Sequence, residues 1–117
     1  MGRILLVDDD DVFRYATGRL LERTGSQVVS AHDYRDALRF LEDGTAVDVL
    51  VIDIVLPEVH GFALARMARM KHPNIKCIYL TGQDIPLDEA VGPVLRKPVG
   101  EKELLREVTA ALAAHPA

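Results

Sequence analysis

The chain has 117 residues, of which 49% are apolar, with a formal net charge of −4 and a pI of about 5.5. This size and composition predict a single compact domain spanning residues 1–117. The acidic balance and the scattered basic residues argue against direct nucleic acid binding, which needs a basic face. No apolar stretch approaches the roughly 20 residues of a membrane helix, so we predict a soluble, cytoplasmic protein without membrane insertion.

Short apolar runs alternate with longer segments of helical period, a pattern typical of an α/β domain. The first run, residues 4–7, ends in four consecutive aspartates at positions 8–11. A helix is predicted over residues 12–24, with Asp11 as its N-cap. Residues 27–31 then form a weaker predicted strand.

The middle of the chain repeats this alternation. A second helix is predicted to begin after a cap at Asp33 and to end before Gly44. The second strong apolar run, residues 49–52, ends in a single aspartate, Asp53. A loop follows, and residues 62–71 are predicted to form the third helix.

The last third of the chain is less regular. A third apolar run, residues 77–80, ends in Thr81, and a short run at residues 94–95 leads into Lys97. Residues 82–93, between these runs, contain two prolines and two glycines, which leave room for at most a turn or two of helix. The helix expected there is therefore predicted to be shortened or missing.

With a final helix over about residues 100–114, these elements predict an α/β fold with a doubly wound parallel sheet. The carboxyl ends of parallel strands open on one edge, so the polar side chains that follow the strands should meet in one crevice. These side chains are Asp8, Asp53, Thr81 and Lys97. Together they predict a site for a cation and a phosphoryl group.

The acidic run requires compensation. Two carboxylates about 4 Å apart repel by roughly 4 kcal/mol at an effective dielectric of about 20, so the cluster needs a counter-cation or a raised pKa. Hard oxygen ligands of this kind favour Mg²⁺. Consecutive loop side chains cannot all point into one crevice, so Asp8 and Asp9 are the predicted ligands, whereas Asp10 and Asp11 are interpreted as turn and cap residues.

Each of the other candidate residues also has an ordinary structural interpretation. Asp53 alone is equally typical of a turn, Thr81 of a strand end and Lys97 of a solvated surface. Pro98 restricts the backbone of the residue before it and would therefore fix the direction of the Lys97 side chain. Their shared position at one edge of the sheet favours the functional interpretation of all three.

Taken together, five separated motifs resemble the receiver domain of two-component response regulators. The motifs are Val7-Asp8-Asp9, Arg14, Asp53 with Pro57 and Gly61, Thr81, and Lys97-Pro98. The resemblance covers the chain from residue 3 to about residue 113. It implies a five-stranded, flavodoxin-like parallel sheet of strand order 2-1-3-4-5.

The resemblance implies a single-domain response regulator with Asp53 as its phosphoacceptor. The Asp53 carboxylate would attack a phosphohistidine on a partner sensor histidine kinase in a Mg²⁺-dependent reaction. The implied Mg²⁺ ligands are Asp8, Asp9, Asp53 and the backbone carbonyl of Val55.

Further residues are expected to assist the transfer. Lys97 would neutralise a phosphoryl oxygen, and Thr81 would donate its hydroxyl to the attached phosphoryl group. Val55 and Gln83, near the mouth of the site, would modulate slow hydrolysis of the acyl phosphate. The domain would thus catalyse its own phosphorylation and slow dephosphorylation without being a classical enzyme.

The chain departs from the family pattern at three places. Val94 occupies the position, three residues before the lysine, where the family usually has an aromatic residue, so the output route is expected to differ. His60 stands where an acidic residue is common; it is interpreted as a solvated loop histidine, with tuning of the loop by pH as the alternative. The segment between Thr81 and Lys97 is several residues shorter than is usual in the family, which is expected to remove most of the helix that many receivers use for dimerisation and effector contact, so a different face should carry the partner.

We expect a stand-alone receiver that signals by binding a downstream effector protein or by phosphorelay to a histidine phosphotransfer protein; homodimerisation is left open. Two other functions are considered. Residues 8–12 fit the Asp-x-Asp-x-Val signature of haloacid-dehalogenase-like phosphatases, in which Asp8 would be the nucleophile, although the later aspartate pair of those enzymes is missing. The other is a degenerate receiver that acts only as a docking module.

Overall fold

The computed structural model describes residues 2–114, in which strands and helices alternate. The five strands are β1 (Arg3–Val7), β2 (Gln27–Ala31), β3 (Val49–Asp53), β4 (Lys76–Thr81) and β5 (Val94–Arg96). The four helices are α1 (Asp11–Glu22), α2 (Tyr34–Glu42), α3 (Gly61–Lys71) and α4 (Glu101–Ala113). The two ends of the predicted domain, residue 1 and residues 115–117, lie outside the described part of the chain. None of these helices has the length and apolar character needed to span a membrane.

The sheet is fully parallel and has the strand order β2-β1-β3-β4-β5, which confirms the predicted fold class. Every residue of the central strands β1 and β3 is buried, whereas β2 at the edge is only partly covered. Continuous apolar runs are expected for parallel strands that are covered on both faces. The arrangement brings the carboxyl ends of β1, β3 and β4 next to one another.

Helices cover both faces of this sheet, α1 with α4 on one side and α2 with α3 on the other. Alternate residues of β1 divide between the two cores because successive strand side chains point to opposite faces. Leu5 and Val7 join the core under α2 and α3, and Ile4 and Leu6 join the core under α1 and α4. The packing of both cores fixes the positions of the strand ends, which carry the polar side chains described below.

The predicted N-cap of the first helix is wrong by one residue. Asp10, not Asp11, caps α1, because its side-chain oxygen accepts a hydrogen bond from the Phe13 backbone N–H at 3.1 Å. Asp11 is the first helical residue, and its carboxylate pairs with Arg14. The cap predicted at Asp33 is confirmed, since its carboxylate accepts the Asp36 backbone N–H at 2.9 Å.

No helix forms between β4 and β5 in the described chain, which confirms the prediction of a shortened or missing helix. Proline at positions 86 and 93 removes two backbone donors from this segment. Ile85 and Ala90 of the segment pack against the core under α3. Its end is held by the Tyr79 hydroxyl, which accepts a hydrogen bond from the Val91 backbone N–H at 3.2 Å.

An ion pair between the nearly buried Arg3 and the exposed Asp43 joins the start of β1 to the end of α2. The Arg3 side chain is almost fully buried, and its guanidinium donates two hydrogen bonds to the Asp43 carboxylate, at 3.2 and 2.9 Å. The Arg3 hydrogen bond is the main cause that lowers the pKa of Asp43 from 3.8 to about 2. Because the pKa is lower in the folded state, the pair stabilises the fold above the unfolded pKa and loses that contribution as pH falls through the folded value.

We therefore expect the Asp43→Asn variant to lose less stability than the parent protein as pH falls from about 3.8 to about 2. Urea denaturation across this range measures the difference directly, because carboxylates common to both proteins cancel in the comparison. Parallel curves for the two proteins would show that Asp43 does not contribute to acid unfolding.

Candidate functional site

One ammonium group joins the ends of two strands. Asp8 directly follows β1, Asp53 ends β3, and Lys97 directly follows β5. Lys97 Nζ donates to Asp8 Oδ2 at 2.8 Å and to Asp53 Oδ2 at 3.0 Å, although these partners lie 89 and 44 positions away in the chain. The parallel register therefore brings together at one edge a charged triad whose members are far apart in the chain.

Each carboxylate of this triad is held at both oxygens. Asp8 Oδ1 accepts the Asp10 backbone N–H at 2.9 Å, and Asp53 Oδ1 accepts the Val55 backbone N–H at 2.9 Å. The second oxygen of each carboxylate accepts from Lys97. The orientation of both carboxylates is thus set by one backbone donor and one shared cation.

Burial and hydrogen bonding act in opposite directions on the pKa values of the triad. The Asp8 side chain is fully buried, and this burial raises its pKa even though Lys97 acts in the opposite direction. Burial acts to lower the pKa of Lys97, but the hydrogen bonds to Asp8 and Asp53 outweigh it and raise that pKa. The raised pKa favours the protonated, positively charged form of Lys97, which offsets the repulsion between the two carboxylates.

The aspartates at this edge can hold a hard cation. Asp8, Asp9 and Asp53 each offer a carboxylate oxygen, and these oxygens all lie within 4.8 Å of one another. Two of the three residues are buried, whereas Asp9 is exposed. Three carboxylate oxygens this close together fit the preference of Mg²⁺ for hard oxygen ligands.

The loop after β3 folds back onto the site. Val55 forms an isolated bridge with His60, and its side chain is 38% exposed at the mouth. Gly61 allows this turn, because a Cβ atom there would lie 2.4 Å from the Asp53 carbonyl oxygen. The glycine of the motif is thus explained by close contact between backbones.

His60 has a structural role that the sequence interpretation missed. The residue is exposed, as a solvated loop histidine would be, but its Nδ1 accepts the Phe62 backbone N–H at 3.3 Å and caps α3. Its ring also lies 5.1 Å from the Phe62 ring, which in turn contacts the Tyr79 ring edge-on at 5.2 Å. An acidic residue or asparagine is the usual cap, so the histidine gave no cap signal.

Thr81 lies at the predicted edge, but its hydroxyl faces its own turn. Thr81 Oγ1 accepts the Gln83 backbone N–H and donates to the Gln83 carbonyl oxygen, both at 3.1 Å. The Thr81 carbonyl accepts the Lys97 backbone N–H at 2.8 Å, which ties the lysine to β4. Val94, in place of the family aromatic, pairs with Tyr79 across the sheet.

Two residues of α1 contact the triad in ways that the sequence did not reveal. The Phe13 ring centroid lies 4.3 Å from Lys97 Nζ. The Arg14 guanidinium donates to the Asp8 carbonyl oxygen at 2.7 Å and to Asp11 at 2.6 Å, which holds the aspartate loop against the helix. The sequence identifies Arg14 only as part of a motif and Phe13 only as an apolar residue of α1, so neither contact with the triad was predicted.

Comparison with known proteins identifies the family to which the chain belongs. Residues 4–109 match the family model described as the response regulator receiver domain. The chain is 33% identical to Protein PilH of Pseudomonas aeruginosa over 121 residues, which cover 97% of this chain and 99% of that protein. It is 34% identical to the transcriptional regulatory protein CpxR of Escherichia coli over 118 residues, covering 96% of this chain.

The first curated relatives are longer than the matched region, since the chain spans 50% of CpxR and 12% of a matched sensor kinase from Brucella abortus. Among solved structures, a receiver domain protein described as CheY-like, from Methanospirillum hungatei, superposes with a TM-score of 0.88 at 28% identity. The superposition covers 97% of this chain and 94% of that one.

Proposed function

Since the chain belongs to the response regulator receiver family, we propose that its Asp53 accepts a phosphoryl group from a phosphohistidine of a sensor histidine kinase. The observation that carries the proposal is the Lys97 ammonium bridging Asp8 and Asp53 at the carboxyl edge of the sheet. A nucleophilic carboxylate and a fixed cation are the minimum that transfer of a phosphoryl group to an acid requires.

In the proposed reaction an oxygen of Asp53 attacks phosphorus as the bond from phosphorus to the imidazole nitrogen breaks. The electron pair of that bond leaves with the imidazole, which takes up a proton from solvent. Negative charge in the transition state lies mostly on the equatorial phosphoryl oxygens. Lys97, 3.0 Å from Asp53, is positioned to neutralise one of them, and the Val55 N–H orients the attacking carboxylate.

Asp8 and Asp9 would hold Mg²⁺ together with Asp53, and the Val55 backbone carbonyl is the proposed fourth protein ligand. Bound Mg²⁺ supplies positive charge that neutralises oxygens of the transferring group. The buried Asp8 would be the more rigid ligand, whereas the exposed Asp9 leaves the cation accessible to an incoming phosphate.

Switching is proposed to begin at Thr81. To donate to a phosphoryl oxygen on Asp53, the Thr81 hydroxyl must exchange its hydrogen bonds with Gln83, and the turn after β4 would follow it. Val55 and Gln83 would modulate water access and hence hydrolysis of the acyl phosphate. The partner that responds to this change would be an effector or a histidine phosphotransfer protein. It would bind a surface other than the segment between β4 and β5, which forms no helix in the described chain.

The family match does not favour the two alternative functions. A haloacid-dehalogenase-like phosphatase would use Asp8 as its nucleophile, yet Asp8 is fully buried, whereas Asp53 remains 8% exposed. A docking-only receiver would not need Lys97 and the carboxylates to be held together.

The direct test is incubation with acetyl phosphate and Mg²⁺, followed by intact mass spectrometry. We expect the mass of one phosphoryl group to be added, removal of Mg²⁺ with EDTA to prevent the addition, and borohydride trapping to map it to Asp53. A label on Asp8 would instead support the phosphatase. A folded protein that takes up no label would support a docking module.

A further inference from the structure

We propose that Phe13 is a positioning residue that holds the Lys97 ammonium in the site through the face of its aromatic ring. The inference rests on the proposed phosphoryl transfer and adds a residue that the family motifs do not include. Lys97 Nζ lies 4.3 Å from the Phe13 ring centroid, inside the roughly 6 Å range of cation–π attraction. The lysine therefore has three neighbours that attract positive charge, two carboxylates and one ring.

Both partners of this contact are carried by fixed segments. The backbone N–H of Phe13 is the donor that Asp10 caps, so the ring extends from the first turn of α1. Its side chain is half-buried and packs against the core under α1 and α4. The Lys97 backbone is held by its hydrogen bond to Thr81. These contacts restrict the positions of both the Phe13 ring and the Lys97 backbone.

The contact matters most when the carboxylates take part in the reaction. A divalent cation bound to Asp8 and Asp53 competes with Lys97 for the same carboxylate lone pairs, and two positive charges at one site repel. An aromatic ring attracts the ammonium but has no lone pair with which to bind a hard cation such as Mg²⁺. Phe13 can therefore keep the Lys97 ammonium beside Asp53 when a divalent cation binds the two carboxylates. The ammonium would then remain close to the incoming phosphoryl oxygens.

The chain contains a natural control. The Phe40 ring makes a contact of the same type with the Arg3 guanidinium, 5.7 Å from the ring centroid. Arg3 begins β1, whereas Asp8 follows the end of that strand, so this second contact lies at the opposite end of the sheet. Replacing either phenylalanine by leucine removes a ring face and keeps an apolar side chain.

The experiment compares Phe13→Leu, Phe13→Tyr and Phe40→Leu for the rate of labelling by acetyl phosphate at saturating Mg²⁺. A single cation–π contact corresponds to roughly a 3- to 20-fold change in rate. We expect the loss only in Phe13→Leu, with rates close to the parent protein in Phe13→Tyr, which restores the ring, and in Phe40→Leu. Equal slowing in Phe13→Leu and Phe13→Tyr, or none in either, would overturn the proposal.

A second measurement does not depend on labelling. The ring current of Phe13 should shift the side-chain proton and carbon resonances of Lys97 in NMR spectra, with and without Mg²⁺. The shift should disappear in Phe13→Leu and persist in Phe40→Leu. A Lys97 shift that survives Phe13→Leu would refute the contact. If the parent protein is not labelled at all but the shift is present, the proposed phosphoryl transfer fails while the contact stands.

Discussion

Replacing Asp53 by asparagine is expected to reduce phosphorylation by acetyl phosphate on the order of 10⁴-fold or more while the fold stays intact. The amide oxygen of asparagine is a poor nucleophile and cannot form the acyl phosphate. It can still accept the hydrogen bond from Val55 or from Lys97, so the loop after β3 should keep its conformation. Labelling followed by mass spectrometry measures the loss, and circular dichroism reports the fold.

The same substitution should not destabilise the protein. Burial is the main cause that raises the pKa of Asp8, and the Asp53 charge adds to it, so removing that charge relieves repulsion between two carboxylates. The matched control is Asp84→Asn, because Asp84 is an exposed aspartate that pairs with Arg96 outside the triad. Labelling of the Asp53→Asn protein at the rate of this control would refute Asp53 as the phosphoacceptor.

Replacing Lys97 by methionine should have the largest effect on stability. We expect the free energy of unfolding to fall by about 2–4 kcal/mol without divalent cation, because two buried carboxylates lose their shared counter-charge. The Lys97 side chain is only 23% exposed, so solvent does not screen this pair as it screens a surface pair. Phosphorylation should fall as well, since within residues 2–114 no other cationic side chain forms an ion pair with Asp53.

Added Mg²⁺ should reveal the competition between the ammonium and the metal. The Lys97→Met variant is expected to gain more stability from Mg²⁺ than the parent protein, because its carboxylates no longer bind an ammonium. The loss of unfolding free energy caused by Lys97→Met should also become smaller in acid. Burial holds the pKa of Asp8 above its ordinary 3.8, so Asp8 takes up a proton as pH falls towards that value and its charge no longer needs compensation.

Urea denaturation with and without Mg²⁺ measures both effects, and Lys71→Met provides the control. Lys71 pairs with Glu42 at 3.1 Å on the surface, where such a pair contributes about 1 kcal/mol or less. Equal stability of the Lys97→Met and Lys71→Met proteins would show that the triad does not depend on its ammonium.

Periodicity and composition were enough to predict the order of the elements, the parallel sheet and the strand ends at which the candidate residues lie. These follow from local signals, since apolar runs mark buried strands and the connectivity of parallel strands places their carboxyl ends on one edge. The candidates Asp8, Asp53 and Lys97 could be named because they follow those runs directly. The loss of one helix followed from the prolines and glycines between Thr81 and Val94.

The hydrogen bonds that these side chains form could not be predicted and became visible in the folded arrangement. The choice of Asp10 over Asp11 as the cap and the turn that occupies the Thr81 hydroxyl depend on side-chain directions that sequence spacing does not specify. Phe13 and Lys97 are far apart in the chain, and their contact exists because the fold brings the first turn of α1 and the residue after β5 to the same edge of the sheet. Local periodicity selects the element in which a residue lies, whereas the packing of distant elements selects its neighbours.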